Sequence, residues 1–270
     1  MKISALLKLD KYIWIAWTSV KSNLAYAGEV GSRVIFLAVI LYIFLRLWVV
    51  TYSQTGATTL GGLNLTQMIW YLAVTESIIL SAPRVSEMVD RDVRTGQLAV
   101  HLIKPLSYPL YCLGHCLGER TVRFFMNLAI GLSISWIFVG PVELGLANIA
   151  FLLLSLPLAF LIDFLGNFAI GLGAFWLEDT TGLMLIYSRV TMILGGMLIP
   201  IELFPTAAQP LLKALPFASI VYGPARMLVR PDMDGFIELL IHQAAAASVF
   251  ALFVYVLYRR CSRRVMAQGG

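Results

Sequence analysis

The chain has 270 residues, of which 59% are apolar and 13% charged, with a formal net charge of +5. Soluble domains carry about 45–50% apolar and about 25% charged residues. The composition therefore excludes an ordinary soluble domain and a disordered chain and points to an integral membrane protein, in which basic loops meet lipid headgroups and nucleic acid is not expected as a partner. At about 20 residues per span, the length suits six spans with short loops in one all-α domain, 1–270.

Residues 3–27 read as an amphipathic helix in the membrane interface. Leu6, Ile13, Trp17, Val20 and Leu24 fall on one stripe, Lys8, Lys11 and Lys21 lie off it, and Trp14 and Trp17 suit the headgroup level. The charges among residues 2–25 leave no short apolar core of the kind that precedes a signal cleavage site. A first span is expected from Val34 to Val50, interrupted by Arg46, and a second from Met68 to Ala82, interrupted by Glu76. The stretch 84–107 is the most polar and reads as a cytoplasmic loop. A third span is expected over 122–139. The fourth apolar stretch, 146–177, holds one charge, Asp163, and is too long for one perpendicular span, so it must tilt, bend near Pro157 or protrude. The fifth span is placed at Gly182–Pro200, with Arg189 inside it. Residues 201–233 are apolar but broken by Pro205, Pro210, Pro216, Pro224 and Pro231, and read as short re-entrant helices in the outer leaflet. The sixth span is placed at Phe236–Tyr258.

Charge sets the orientation. With both termini inside, the inner side holds Lys2, Lys8, Lys11, Lys21, Arg33, Arg84, Arg91, Arg94, Lys104, Arg120, Arg123, Arg259, Arg260, Arg263 and Arg264, which is 15 of the 20 basic residues. The outer side holds only Lys213, Arg226 and Arg230. This asymmetry favours cytoplasmic termini.

Motifs for catalysis are lacking. No Gly-Lys dipeptide occurs, so the sequence holds no Walker A phosphate loop, and no zinc-protease motif is present. Cys112, His115 and Cys116 lack a fourth nearby ligand and read as helix packing, and the three cysteines do not suggest a disulfide framework. Arg46, Glu76, Asp163 and Arg189 are the informative ionisable residues. A charge at the bilayer centre costs roughly 2.5–3.5 kcal/mol on insertion scales, so each is a candidate for an interhelical ion pair, Arg46 with Glu76 and Asp163 with Arg189, or for the substrate pathway. On the fifth span, Met184, Met192 and Met197 with Tyr187 suit packing or an adaptable apolar cavity.

Two stretches resemble the membrane subunits of type-2 ATP-binding-cassette exporters. One runs Asp92-Val-Arg94-Thr-Gly96-Gln-Leu98 through His101-Leu102-Ile-Lys104-Pro105-Leu-Ser107, similar to the cytoplasmic loop after the second span of that family. The other is the series Phe175-Trp176-Leu-Glu178, Gly195-Gly196 to Ile199-Pro200, Phe204-Pro205, Leu215-Pro216-Phe217 and Tyr222-Gly223-Pro224. Within that family the chain resembles the small drug- or viologen-exporter-like permeases. The resemblance implies a single permease domain in a bacterial inner membrane. It also implies a second permease subunit, identical or not, and a cytoplasmic ABC ATPase that carries ATP and Mg. No cofactor is expected on this chain. Within the loop, the alternating charges of 85–94, the turn at Gly96 and the ridge of Leu98, Leu102 and Ile103 suit docking to the ATPase, with Lys104-Pro105 ending the helix. The expected coupling residues are Asp92, Arg94, Gly96, Leu98, His101, Leu102, Lys104 and Pro105. The expected activity is outward movement of an amphiphilic, lipid-like or drug-like substrate. The alternatives are a proton-coupled secondary transporter using Glu76 and Asp163, and a membrane scaffold without transport.

Overall fold

A computed structural model describes residues 3–25 and 30–268, with side chains over 10–25 and 34–263. Residues Lys2 and Ala27 and the side chains of Leu6, Lys8, Arg33 and Arg264 lie outside the described residues. Among those described, the chain is all-helical. The helices are α1 (Ile3–Ala25), α2 (Val30–Thr55), α3 (Leu65–Leu80), α4 (Val85–Arg94), α5 (Gln97–Ile103), α6 (Tyr108–Val139), α7 (Leu146–Leu172), α8 (Thr181–Leu194), α9 (Gln209–Ala214), α10 (Pro216–Ile220), α11 (Tyr222–Val229) and α12 (Met233–Gln268).

Five stretches among the described residues are helical, long and apolar enough to cross a membrane: Val34–Thr55, Leu65–Arg94, Tyr108–Val139, Leu146–Phe175 and Met233–Arg263. The fifth expected span is shorter than read from the sequence. Its helix stops at Leu194, because Gly195 lies too close to the backbone of Thr191 and Phe217 for a side chain and Gly196 turns the chain at φ 72°. The third span is longer than expected and begins at Tyr108. Ser107 precedes it and Pro109 lies in its first turn, both common at helix starts. The fourth stretch stays a single helix, Leu146–Leu172, through Pro157.

The core fixes the order of packing. On α2, Leu37, Leu41, Trp48 and Tyr52 are buried in a cluster with Met68, Leu72 and Phe124 from α3 and α6. A capping box at Asn64 and Gln67 starts α3. A second cluster joins α4, α5, the first half of α6, the end of α7 and the end of α12 through Val85, Val89, Leu98, Tyr108, Cys112, Phe168, Leu172, Val254 and Cys261.

Both ends of the bundle can be followed by contacts. The α4 end also holds the start of α8, since the Thr180 hydroxyl donates to Asp90 at 2.6 Å. At the opposite end, Asn148 of α7 donates to the carbonyl of Leu228 and Phe151 stacks on Phe236 of α12. From Thr180 the chain therefore runs the length of the bundle through α8, passes Gly196, whose carbonyl accepts from Tyr71, and reaches that opposite end. There Glu202 lies against Gly61, and Arg230 donates to Gly62 at 3.4 Å. Residues 201–233 thus enter and leave at one end. Their helices span only six, five and eight residues.

Candidate functional site

Helices α4 and α5 form an elbow. Gly96 takes φ 73° between them, a left-handed conformation that favours glycine, and Lys104 returns to extended backbone before Pro105. The inner side of α4 presses Val85, Ser86 and Val89 on the end of α7. Gly171 permits that approach, since a Cβ there would meet the Val89 Cβ at 2.6 Å and the Ser86 carbonyl at 2.8 Å.

Polar contacts tie the elbow to the rest of the bundle. Arg94 donates twice to Asp90, and its Nη2 reaches the Leu177 carbonyl at 3.4 Å. The Tyr108 hydroxyl of α6 donates to Asp92 at 2.8 Å. His101 packs on the rings of Tyr108 and Tyr111, and Tyr108 stacks on Tyr258 of α12. Lys11 of α1 donates to the Pro105 carbonyl at 2.6 Å, and the Ser107 N–H donates to the Tyr12 hydroxyl at 2.8 Å. Just after α7, Asp179 accepts from Thr181, which holds its carboxyl below its ordinary range.

The expected ridge is only partly presented to solvent. Leu98 is 1% exposed and packs inward. Leu102 is half-buried. Ile103 is 86% exposed, and Val100, Arg91, Arg94, Gln97, Lys104 and Pro105 are exposed with it. The correction follows from the short α5: a seven-residue helix anchored by Leu98 turns the opposite side, Val100 and Ile103, outward.

Helix α1 lies along α6 at the same end. The Ser19 hydroxyl donates to the His115 carbonyl at 2.8 Å, and Gly114 and Gly118 let the α1 backbone come against α6. On its outer side Ile13, Trp14, Trp17 and Leu24 are exposed. The Gly114-x-x-x-Gly118 spacing carries this contact and is a sequence signal for close helix packing.

Neither expected intramembrane ion pair forms. Arg46 is exposed on α2. At 3.6 residues per turn it lies roughly 150° round the helix from the buried Leu37–Tyr52 stripe. Glu76 is 2% exposed and its Oε1 has no hydrogen-bond partner. Arg189 is exposed on α8, and the α8 residue that reaches Asp163 is Tyr187, whose hydroxyl is 3.3 Å away. Asp163 pairs instead with Arg120 of α6, at 2.6 Å, with side chains 7% and 3% exposed. Asn167 donates to Asp163 Oδ1 at 3.1 Å, and the Arg120 guanidinium lies 4.1 Å from the centroid of the Phe160 ring. Arg120 was expected on the inner side, ahead of a third span beginning at residue 122. Its neighbours Glu119 and Arg123 pair with each other one turn apart on α6.

The family described as ABC-2 family transporter protein matches residues 36–269. The chain belongs to the ABC-2 transporter family. No curated protein matches it. Membership makes the chain a multi-pass membrane protein and a permease subunit of an ABC transporter, a transport component rather than an enzyme. ABC-2 permeases generally work with an ABC ATPase. The match includes the elbow, the buried pair and α8.

Proposed function

We propose that this ABC-2 permease exports an amphiphilic, lipid-like or drug-like substrate, driven by a separate ABC ATPase that binds the exposed side of the α4–α5 elbow. One observation carries the reading. The elbow bonds or packs to α1, α6, α7, α12 and the segment leading into α8, yet leaves Val100, Ile103 and Lys104 bare. A push on those residues would reach the whole bundle through contacts already made. The sequence contains no phosphate loop, so ATP and Mg would be held by the partner. A second permease subunit, identical or different, completes the transporter. In a bacterial inner membrane the elbow faces the cytoplasm with both termini, α1 lies in the interface with Trp14 and Trp17 toward lipid, α8 with Gly195–Pro200 makes the fifth of six crossings, and residues 201–233 dip into the outer leaflet. A proton-coupled mechanism through Asp163 is disfavoured by its ion pair with Arg120.

The test is capture of the ATPase. Tagged permease purified from its own host should bring down a subunit with ATPase activity. Ile103→Asp combined with Val100→Asp should lower that activity tenfold or more at unchanged permease yield, because it puts charge into an apolar contact. Unchanged capture would place the docking surface elsewhere.

A further inference from the structure

A cavity of about 350 Å³ lies between the elbow and the helices behind it. Its wall includes Arg120, Asp163, Asn167, Tyr187 and Ser188, together with apolar residues such as Ile79 and Met184. Ligand pockets commonly measure about 300–1,000 Å³, so this one suits a head group and not a whole lipid. Its charges balance: Arg84 and Arg120 against Glu87 and Asp163. Arg84 and Glu87 pair at 3.5 Å where both are exposed, and Arg120 and Asp163 pair where both are buried. The polar inventory is incomplete, since the buried Nε of Arg120 has no hydrogen-bond partner. On the α8 side, Thr181, Leu185 and Ser188 are exposed, so the cavity is reachable from the surface that α8 turns to its surroundings.

We propose that this cavity binds a zwitterionic head group, whose anionic part faces the guanidinium of Arg120 and whose cationic part faces the carboxylates of Asp163 and Glu87. A head of net charge would leave one of the two balanced pairs opposed by a like charge, whereas a zwitterion opposes neither. The apolar tail leaves along Leu185 and Met184 past α8. The proposal deepens the exporter reading by naming the substrate class, and it rests on that reading only for the direction of transport. The head could come from a membrane amphiphile or from a free zwitterion, and both present the same chemistry.

Ser188→Cys supplies a thiol at the cavity wall, while Cys112, Cys116 and Cys261 are buried. In maltoside micelles, dodecylphosphocholine added below its micelle concentration should slow maleimide labelling of this thiol at least tenfold. Dodecyl phosphate and dodecyltrimethylammonium should slow it less than twofold. Arg120→Lys keeps the cation and removes the planar guanidinium, and should raise the concentration for half-protection about tenfold in a protein of unchanged elution profile. Protection by phosphocholine alone supports the site and assigns a soluble source; protection that requires the tail supports it and assigns the membrane. Equal protection by all three amphiphiles, none by the zwitterion, or protection indifferent to Arg120→Lys overturns the proposal. The assay needs no ATPase, so captured ATPase with an unprotected thiol would refute the cavity and leave the exporter reading intact.

Discussion

Arg120 and Asp163 show how a charge survives among apolar helices. Each is costly alone, at roughly 2.5–3.5 kcal/mol on insertion scales, and the two pair with each other, Asp163 with further hydrogen bonds from Asn167 and Tyr187. Removing one partner should hurt more than removing both. Arg120→Met is expected to cost about 3–5 kcal/mol, because it strands a buried carboxylate. Arg120→Met with Asp163→Leu should recover much of that loss, since the double change leaves an apolar contact in place of an unpaired charge. A double-mutant cycle on unfolding in micelles measures the coupling, and additive losses would show that the pair is energetically idle. Glu76 differs in kind. It is buried as deeply, yet Arg46 turns away from it on α2.

The elbow is where short elements transmit packing. Leu98 and Ile103 sit five residues apart on α5 and face opposite ways. Leu98→Asp should place a charge in the second cluster and prevent accumulation of the protein, whereas Ile103→Asp should leave the amount of inserted protein unchanged. Immunoblots of membranes compare them directly, and similar yields would mean that Leu98 is not buried. A related contrast holds for α1. Gly118→Leu would drive a side chain into the α1 backbone near Ala16 and Ser19 and should detach the helix, exposing Lys11 and Lys21 to faster trypsin cleavage. Unaltered cleavage would show that α1 docks by other contacts. The elbow was legible in the sequence because Gly96 and Lys104-Pro105 are strong local punctuation. The start of α6 was not, because Arg120 and Arg123 counted among the inner-side charges until their partners were seen. The inward turn of Leu98 was also hidden, since a seven-residue helix gives too little periodicity to separate its faces. The likeness to type-2 exporters carried over to the family, while the partners of the intramembrane charges depended on rotations of helices that hydropathy does not encode.

At the scale of the whole molecule, direction of the chain decides the topology. Hydropathy gives five long apolar helices, an odd number that by itself would put the two termini on opposite sides. The six-crossing reading proposed above returns them to one side, and the contacts support it: α7 arrives at the elbow end, α8 leaves it, and α12 begins at the opposite end and returns to the elbow. The return from Thr180 to Glu202 is thus made by a 14-residue helix and the turn after it. At about 1.5 Å per residue, α8 covers roughly 21 Å of an approximately 30 Å hydrocarbon core, and Gly195–Pro200 supplies the rest. None of α9, α10 and α11 exceeds roughly 12 Å by the same measure, which supports the proposal that 201–233 stays in the outer leaflet. Thr206 and Met233 are both exposed in or beside that segment, and Gln97 is exposed at the elbow. Single cysteines at Thr206 and Met233 should therefore react with an impermeant maleimide in intact cells, and one at Gln97 only after permeabilisation. A cysteine at Thr206 that labels from outside while one at Met233 labels only from inside would show that the segment crosses, and would put the C-terminal arginines Arg259 and Arg260 on the outer side.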